Sequence, residues 1–273
     1  MSRRPSAEER FPGPSVMGIV NVTPDSFSDG GVNFRPEDAI ASARRLAEEG
    51  AAIVDVGGES TRPGAEPVST DEELRRVLPV IERLAGLPVS IDTAKADVAR
   101  QALELGTEMV NDVTALRADP SLGAVVAEGG AYLCLMHMQG EPRTMQANPT
   151  YDDVVSEVKA FLEERLRFAV DSGIREELIC LDPGIGFGKT VEHNFELVRR
   201  LGELTELGRP VVVGFSRKRS LGRLLGDPDA TTGPLSASLA AAVAAYERGA
   251  TILRAHDVKE HVEALTAARA VLG

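Results

Sequence analysis

Short apolar runs alternate along the chain with longer amphipathic stretches. The runs are VMGIVNV (16–22), AIVDVG (52–57), PVSID (88–92), MVNDV (109–113), AYLCLMH (131–137), LICLD (178–182), PVVVGF (210–215) and ATILRA (250–255). None shows a polar face of period two, which is how parallel strands buried on both sides read. Helical periodicity fills 36–50, 69–86, 95–106, 121–130, 151–173, 191–204, 238–250 and 258–273. Pro36 suits a first helical position, Ser69 followed by acids suits an N-cap, and Gly50 and Gly106 suit helix stops.

Strict alternation of strand and helix predicts βαβ units and a parallel sheet. Eight such units in 273 residues predict an α/β fold, a (β/α)₈ or TIM barrel, for which about 250 residues is typical. The second architecture to consider is an open doubly wound sheet; the even repetition favours the barrel. Residues 15–273 read as one domain, and residues 1–14, rich in charge, Pro and Gly, read as a flexible tail with no apolar signal core.

Composition narrows the function. There are 30 basic and 42 acidic residues, a formal net charge of −12. That balance argues against nucleic acid or an anionic membrane as partner, while leaving room for a small basic pocket. No run of about 18 apolar residues predicts a membrane span. Cys134 and Cys180 sit in apolar runs, as buried thiols of a reducing, cytoplasmic compartment do. No Cys/His spacing suggests zinc.

Barrel chemistry sits where strands end. Here each apolar run ends in a polar residue: Asn21, Asp55 with Glu59, Asp92, Asn111 with Asp112, His137, Asp182, then Ser216–Lys218, and Arg254 with His256 and Asp257. Asp55, Asp112 and Asp257 read most simply as helix caps. Cations cluster after the last two strands, where barrels bind phosphate, so Lys218, Arg254 and His256 point to a phosphate or pyrophosphate. The carboxylates and amides of the middle strands suit a donor-rich ring. The stretches 23–35 and 58–69 exceed the usual 2–6 residues of such loops and read as mobile lids. DPGIGFGKT (182–190) has one residue too few between Gly184 and Gly188 for a phosphate-binding P-loop. Its glycines instead allow backbone to pass close to a flat ligand, with Phe187 available to pack on it. Met136 reads as pocket wall, His193 and His261 as surface histidines, and Glu72/Arg76 as a solvated helix face.

MGIVNVTPDSFSDGG, DVGGESTRPGA, SIDT, VNDVTA, LMHMQGEPRTMQ, DPGIGFGKT, GFSRKR and RAHDV occur in that order from about residue 16 to 260. Together they resemble the dihydropteroate synthases. The resemblance implies a barrel that joins 6-hydroxymethyl-7,8-dihydropterin diphosphate to p-aminobenzoate, giving 7,8-dihydropteroate and pyrophosphate in folate biosynthesis, and that is a sulfonamide target. It implies pterin contacts from Asp92, Asn111, Asp182 and Lys218, with Met136 and Phe187 lining the pocket. It assigns Mg²⁺ to Asn21, the diphosphate to Thr61, Arg62, Arg254 and His256, and the p-aminobenzoate site to Phe27 and Pro63, with Asp25 and Asp29 in the first lid. Lys218, Arg254, His256, Asp92 and Arg62 would carry catalysis, and the chain would pair as a homodimer. Where some members have Ser after the lysine, this chain has Arg219. Its side chain, the local backbone or Ser220 would then meet the p-aminobenzoate carboxylate. The alternatives are a pterin-binding methyltransferase-like protein and an inactive pterin-binding homologue.

Overall fold

The structure is a computed structural model that describes residues 4–23, 35–62 and 64–272. Strands form where the apolar runs place them: β1 (Ser15–Asn21), β2 (Ile53–Gly57), β3 (Val89–Asp92), β4 (Met109–Asp112), β5 (Tyr132–Met136), β6 (Ile179–Asp182), β7 (Val211–Val213) and β8 (Ala250–Ala255). They pair in parallel in chain order, and β1 closes onto β8 through Ser15↔Ile252 and Met17↔Arg254. The sheet is therefore a closed barrel and not an open doubly wound sheet.

The helices are α1 (Ala7–Arg10), α2 (Pro36–Glu48), α3 (Thr70–Arg83), α4 (Ala96–Glu104), α5 (Leu122–Gly129), α6 (Val154–Asp171), α7 (Val191–Arg199), α8 (Leu201–Thr205), α9 (Arg219–Leu224), α10 (Leu235–Glu247) and α11 (Val258–Leu272). Ser69 caps α3 by accepting the Glu72 N–H, and a reciprocal cap joins Thr190 and His193 at the start of α7. The stretch 191–204 divides into α7 and α8 at Arg200, whose backbone leaves the helical region. The short α9 lies outside the expected pattern; six residues are too few to display a helical period.

Two apolar layers hold the fold. The outward strand residues meet the helices in a continuous Val/Leu/Ile/Ala core. Inside the barrel, Met17, Ile53, Met109, Cys134, Cys180, Val212 and Ile252 form a second cluster. Both cysteines are free thiols within it. Side chains alternate across a strand, so the next inward positions are Ile19, Asp55, Asn111, Met136, Asp182, Gly214 and Arg254. The interior thus changes from apolar at the bottom to polar at the top.

The tail expected over residues 1–14 is corrected for its described part. Ser6 and Glu9 form a capping box around α1, and Phe11 and Ala7 are fully buried against the inner cluster. Phe11 meets Tyr132 edge-on at 5.7 Å, and Arg10 donates to the Glu108 carboxylate and the Ala52 carbonyl. This segment closes the bottom of the barrel. Among the described residues, no helix is long and apolar enough to cross a membrane.

Candidate active site

A cleft of about 920 Å³ opens at the C-terminal ends of the strands. Asn21, Thr61, Arg62, Asp92, Asn111, Met136, Asp182, Phe187, Lys218, Arg254 and His256 all line it. Phe27 and Pro63, like Asp25 and Asp29, lie outside the described residues.

Its floor is a buried polar network. Asp55 is fully buried, and its Oδ2 accepts the Asn111 amide at 3.0 Å and Arg254 Nε at 2.8 Å. A second Arg254 nitrogen, Nη2, donates to Asp92 Oδ2 at 2.9 Å. The cap assignment of Asp55 is thus corrected. The signal was present in the sequence, because Asp55 follows the inward Ile53 by two residues on the same face. Burial and the neighbouring Asp55 push the Asp92 carboxyl up to about 8, against the pull of Arg254. Burial also raises Asp182, while the Gly184 N–H, 2.7 Å from its Oδ1, favours the charged form.

The expected split of cations and carboxylates into opposite sides is corrected at Arg254, which reaches across to two carboxylates. It is corrected also at His256. Burial, with Arg217 and Arg254 nearby, lowers this imidazole to about 3, so it is neutral at pH 7. Its Nδ1 lies 3.1 Å from Ser216 Oγ. Lys218 remains a cation source; burial and Arg254 lower it to about 8, and its ammonium lies 4.3 Å from the centre of the Phe187 ring.

The glycine-rich segment after β6 does bring backbone close, against the protein itself. Gly184 has φ +70°, and a Cβ there would stand 1.8 Å from the His137 carbonyl oxygen. Lys189, part of the DPGIGFGKT segment, was given no role by the sequence. It is buried, with Nζ 2.9 Å from His137 Nδ1 and donating to the Phe187 carbonyl at 3.0 Å. Burial lowers it to about 7, and burial with Lys189 alongside lowers His137 to about 2. This pair fastens the segment that carries Phe187.

Other positions differ from their sequence reading. His261 is buried, with Nδ1 2.7 Å from the Asp257 carbonyl. Arg76 does pair with Glu72, yet it is largely buried and also donates to the Gly58 carbonyl at 2.8 Å. Asp112 keeps its capping role, accepting the N–H groups of Thr114 and Leu116. Asp257 pairs with Arg217. Arg219 lines the cleft half-buried, and beside it the Ser220 hydroxyl is buried without a partner among the described residues.

A family model described as pterin binding enzyme matches residues 17–256. The chain belongs to this family. Within it, the chain is 48% identical over 265 residues to the dihydropteroate synthase of Escherichia coli (strain K12), covering 95% of this chain and 92% of that one. It is similar to the Xanthomonas albilineans dihydropteroate synthase solved with 4-aminobenzoic acid, at 48% identity and a TM-score of 0.87, covering 99% and 98% of the two chains. It is similar also to that enzyme in complex with 7,8-dihydropteroate, at 47% identity and a TM-score of 0.82, covering 95% and 94%. In this pterin-binding family member, the top of the barrel presents the carboxylates of Asp92 and Asp182 and the amide of Asn111 to the cleft.

Proposed function

We propose that this chain is a dihydropteroate synthase, condensing 6-hydroxymethyl-7,8-dihydropterin diphosphate with p-aminobenzoate. The observation that carries this is the union of an acid and amide floor with cationic groups in one cleft, in a chain nearly half identical to such enzymes over its length. Asp92, Asn111 and Asp182 take the pterin ring, each offering an oxygen to ring N–H groups. Met136 and Phe187 cover its faces, and Lys218, held on Phe187, adds a donor beside the ring.

The pterin methylene carbon loses its bond to a diphosphate oxygen and gains one to the aniline nitrogen, which gives up a proton. Charge accumulates on the departing pyrophosphate. Thr61, Arg62, Arg254 and the His256 imidazole meet that charge, and donors already held in place need little reorganisation as it develops. The nucleophile comes from the substrate, so no activated serine or cysteine is needed.

Mg²⁺ fits the residues present. No group of three His, Cys, Asp or Glu that could hold a metal occurs among the described residues, but Mg²⁺ on a diphosphate commonly takes one or two protein oxygens beside phosphate and water. The Asn21 carboxamide at the cleft edge supplies such an oxygen. When bound, the ion would neutralise charge on the leaving group.

We further propose that the barrel, together with the N-terminal segment that closes its bottom, acts as one domain, that the enzyme works in the cytoplasm, where its two buried thiols stay reduced, and that two copies associate through the late helices. Leu224, Leu225 and Leu235 are exposed there at 58%, 63% and 38%. Sedimentation of dilute protein as a monomer would remove the dimer. The test of function is pyrophosphate release. It is expected only with both substrates and Mg²⁺, and Asn21→Ala is expected to cut turnover steeply while leaving the melting temperature unchanged. Equal turnover in excess chelator would remove the metal assignment, and no release with both substrates would overturn the function.

A further inference from the structure

Outside the cleft floor, one group of charges has no evident reason to exist. Glu73 on α3 is fully buried, and its Oε1 has no hydrogen-bond partner among the described residues. Its Oε2 meets Lys95 Nζ at 2.5 Å, and the same ammonium also meets Glu59 Oε2. An ion pair with one fully buried partner is a poor source of stability, because apolar residues of similar size often serve as well or better. The group is better understood by what it joins.

Lys95 lies three residues beyond Asp92, at the N-cap of α4, where its own N–H donates to the Thr93 hydroxyl at 3.2 Å. Glu59 opens the stretch that leads to Thr61 and Arg62, and it lines the cleft with them. Arg76 holds the carbonyl of the preceding Gly58. Gly58 itself is pressed on α3, since a Cβ there would stand 2.7 Å from Val77 Cγ1 and 3.0 Å from Glu73 Cγ. One ammonium thus ties the strand end that carries Asp92 to the base of the segment that carries Thr61 and Arg62, with α3 as the common support.

We propose, on the strength of the function proposed above, that Lys95 and Glu73 are positioning residues. They hold Glu59, and with it the 59–62 segment, in the register that completes the p-aminobenzoate side of the cleft once pterin is seated. Neither residue touches substrate. The pterin floor is built on the strand ends, so removing both charges together is expected to leave its geometry in place.

The variants are Lys95→Met/Glu73→Leu, which removes both charges together, and Lys95→Arg, which keeps the ammonium's role. Steady-state pyrophosphate release gives KM for p-aminobenzoate, calorimetry gives pterin affinity, and melting reports the fold. The double variant is expected to melt at or above the wild-type temperature. Its KM for p-aminobenzoate is expected to rise roughly three- to thirtyfold, the range over which positioning residues modulate a distant site. Pterin affinity should stay unchanged, and Lys95→Arg, which keeps a cation between Glu59 and Glu73, should keep KM for p-aminobenzoate closer to wild type than the double variant does. An unchanged KM in the folded double variant overturns the proposal, as does a parallel loss of pterin affinity. If the double variant does not fold, Glu59→Gln, which leaves the buried pair intact, is read in the same way, and an unchanged KM again overturns it. Absence of pyrophosphate release from the wild-type chain would instead remove the function itself, and this proposal with it.

Discussion

At the scale of single residues, burial governs the chemistry of the cleft. Burial beside Asp55 pushes the Asp92 carboxyl up to about 8, which favours its protonated form at pH 7. A pterin ring that donates N–H bonds to it favours the carboxylate and pulls its pKa down. Pterin binding at pH 7 should therefore release a proton. Titration calorimetry in buffers of different ionisation enthalpy measures this, and Asp92→Asn should abolish the release. Asp182 lines the same cleft and is proposed to meet the same ring. Asp182→Asn exchanges an acceptor for a mixed donor and acceptor, and loss of a charge-assisted bond costs about 1.5–3 kcal/mol. Pterin affinity should fall roughly 10- to 150-fold; an unchanged calorimetric Kd would take Asp182 out of the site.

Elements differ in how much of the cleft they determine. Strand ends supply the floor, and the connections supply the rest. The segment after β6 is seated against β5 so closely that Gly184, at φ +70° with no room for a Cβ, cannot be replaced without moving it. Gly184→Ala should lower stability by at least about 1 kcal/mol and weaken pterin binding more than it weakens the fold, since Phe187 and the N–H that holds Asp182 move together. Melting and pterin titration of one variant separate the two effects. The stretch 58–69, proposed above to meet the diphosphate through Thr61 and Arg62, is expected to shape the p-aminobenzoate side of the cleft as well. Arg62 is exposed at the cleft edge, so Arg62→Ala should raise KM for p-aminobenzoate several-fold while pterin affinity without diphosphate stays nearly constant. Equal losses of both would show that this stretch serves the floor as well.

For the whole molecule, the barrel divides stability from chemistry along its axis. The bottom is closed by Phe11 and Tyr132 over an apolar cluster that includes both cysteines. Phe11→Ala should cost about 3–5 kcal/mol, the usual cost of truncating a buried aromatic. Denaturant unfolding measures it, and KM for both substrates should stay at wild-type values. A change in either KM would mean that the bottom plug is coupled to the mouth.

The sequence by itself determined the number and order of the strands and of the eight helical stretches between them, though not α1, α9 or the break between α7 and α8. Parallel strands buried on both faces are written as local apolar runs, and their ends are marked by polar residues. Strand ends and the resemblance to known motifs together named eleven candidate side chains that line one mouth, since every strand of a barrel delivers its end to the same face. Only the tertiary structure decided which groups touch. Arg254 lies 199 residues from Asp55 and 162 from Asp92 along the chain, and no local pattern records that it bridges them. Nor could the sequence show that His256 is neutral or Lys189 buried, because a protonation state depends on neighbours brought in from other strands and on water removed by closing the barrel. The same holds for residues 4–14, whose few apolar side chains form no periodic pattern and find their place only because a closed barrel leaves a bottom to fill. Short-range physics is legible in the order of residues; pairing, burial and charge are settled by the closure of the sheet.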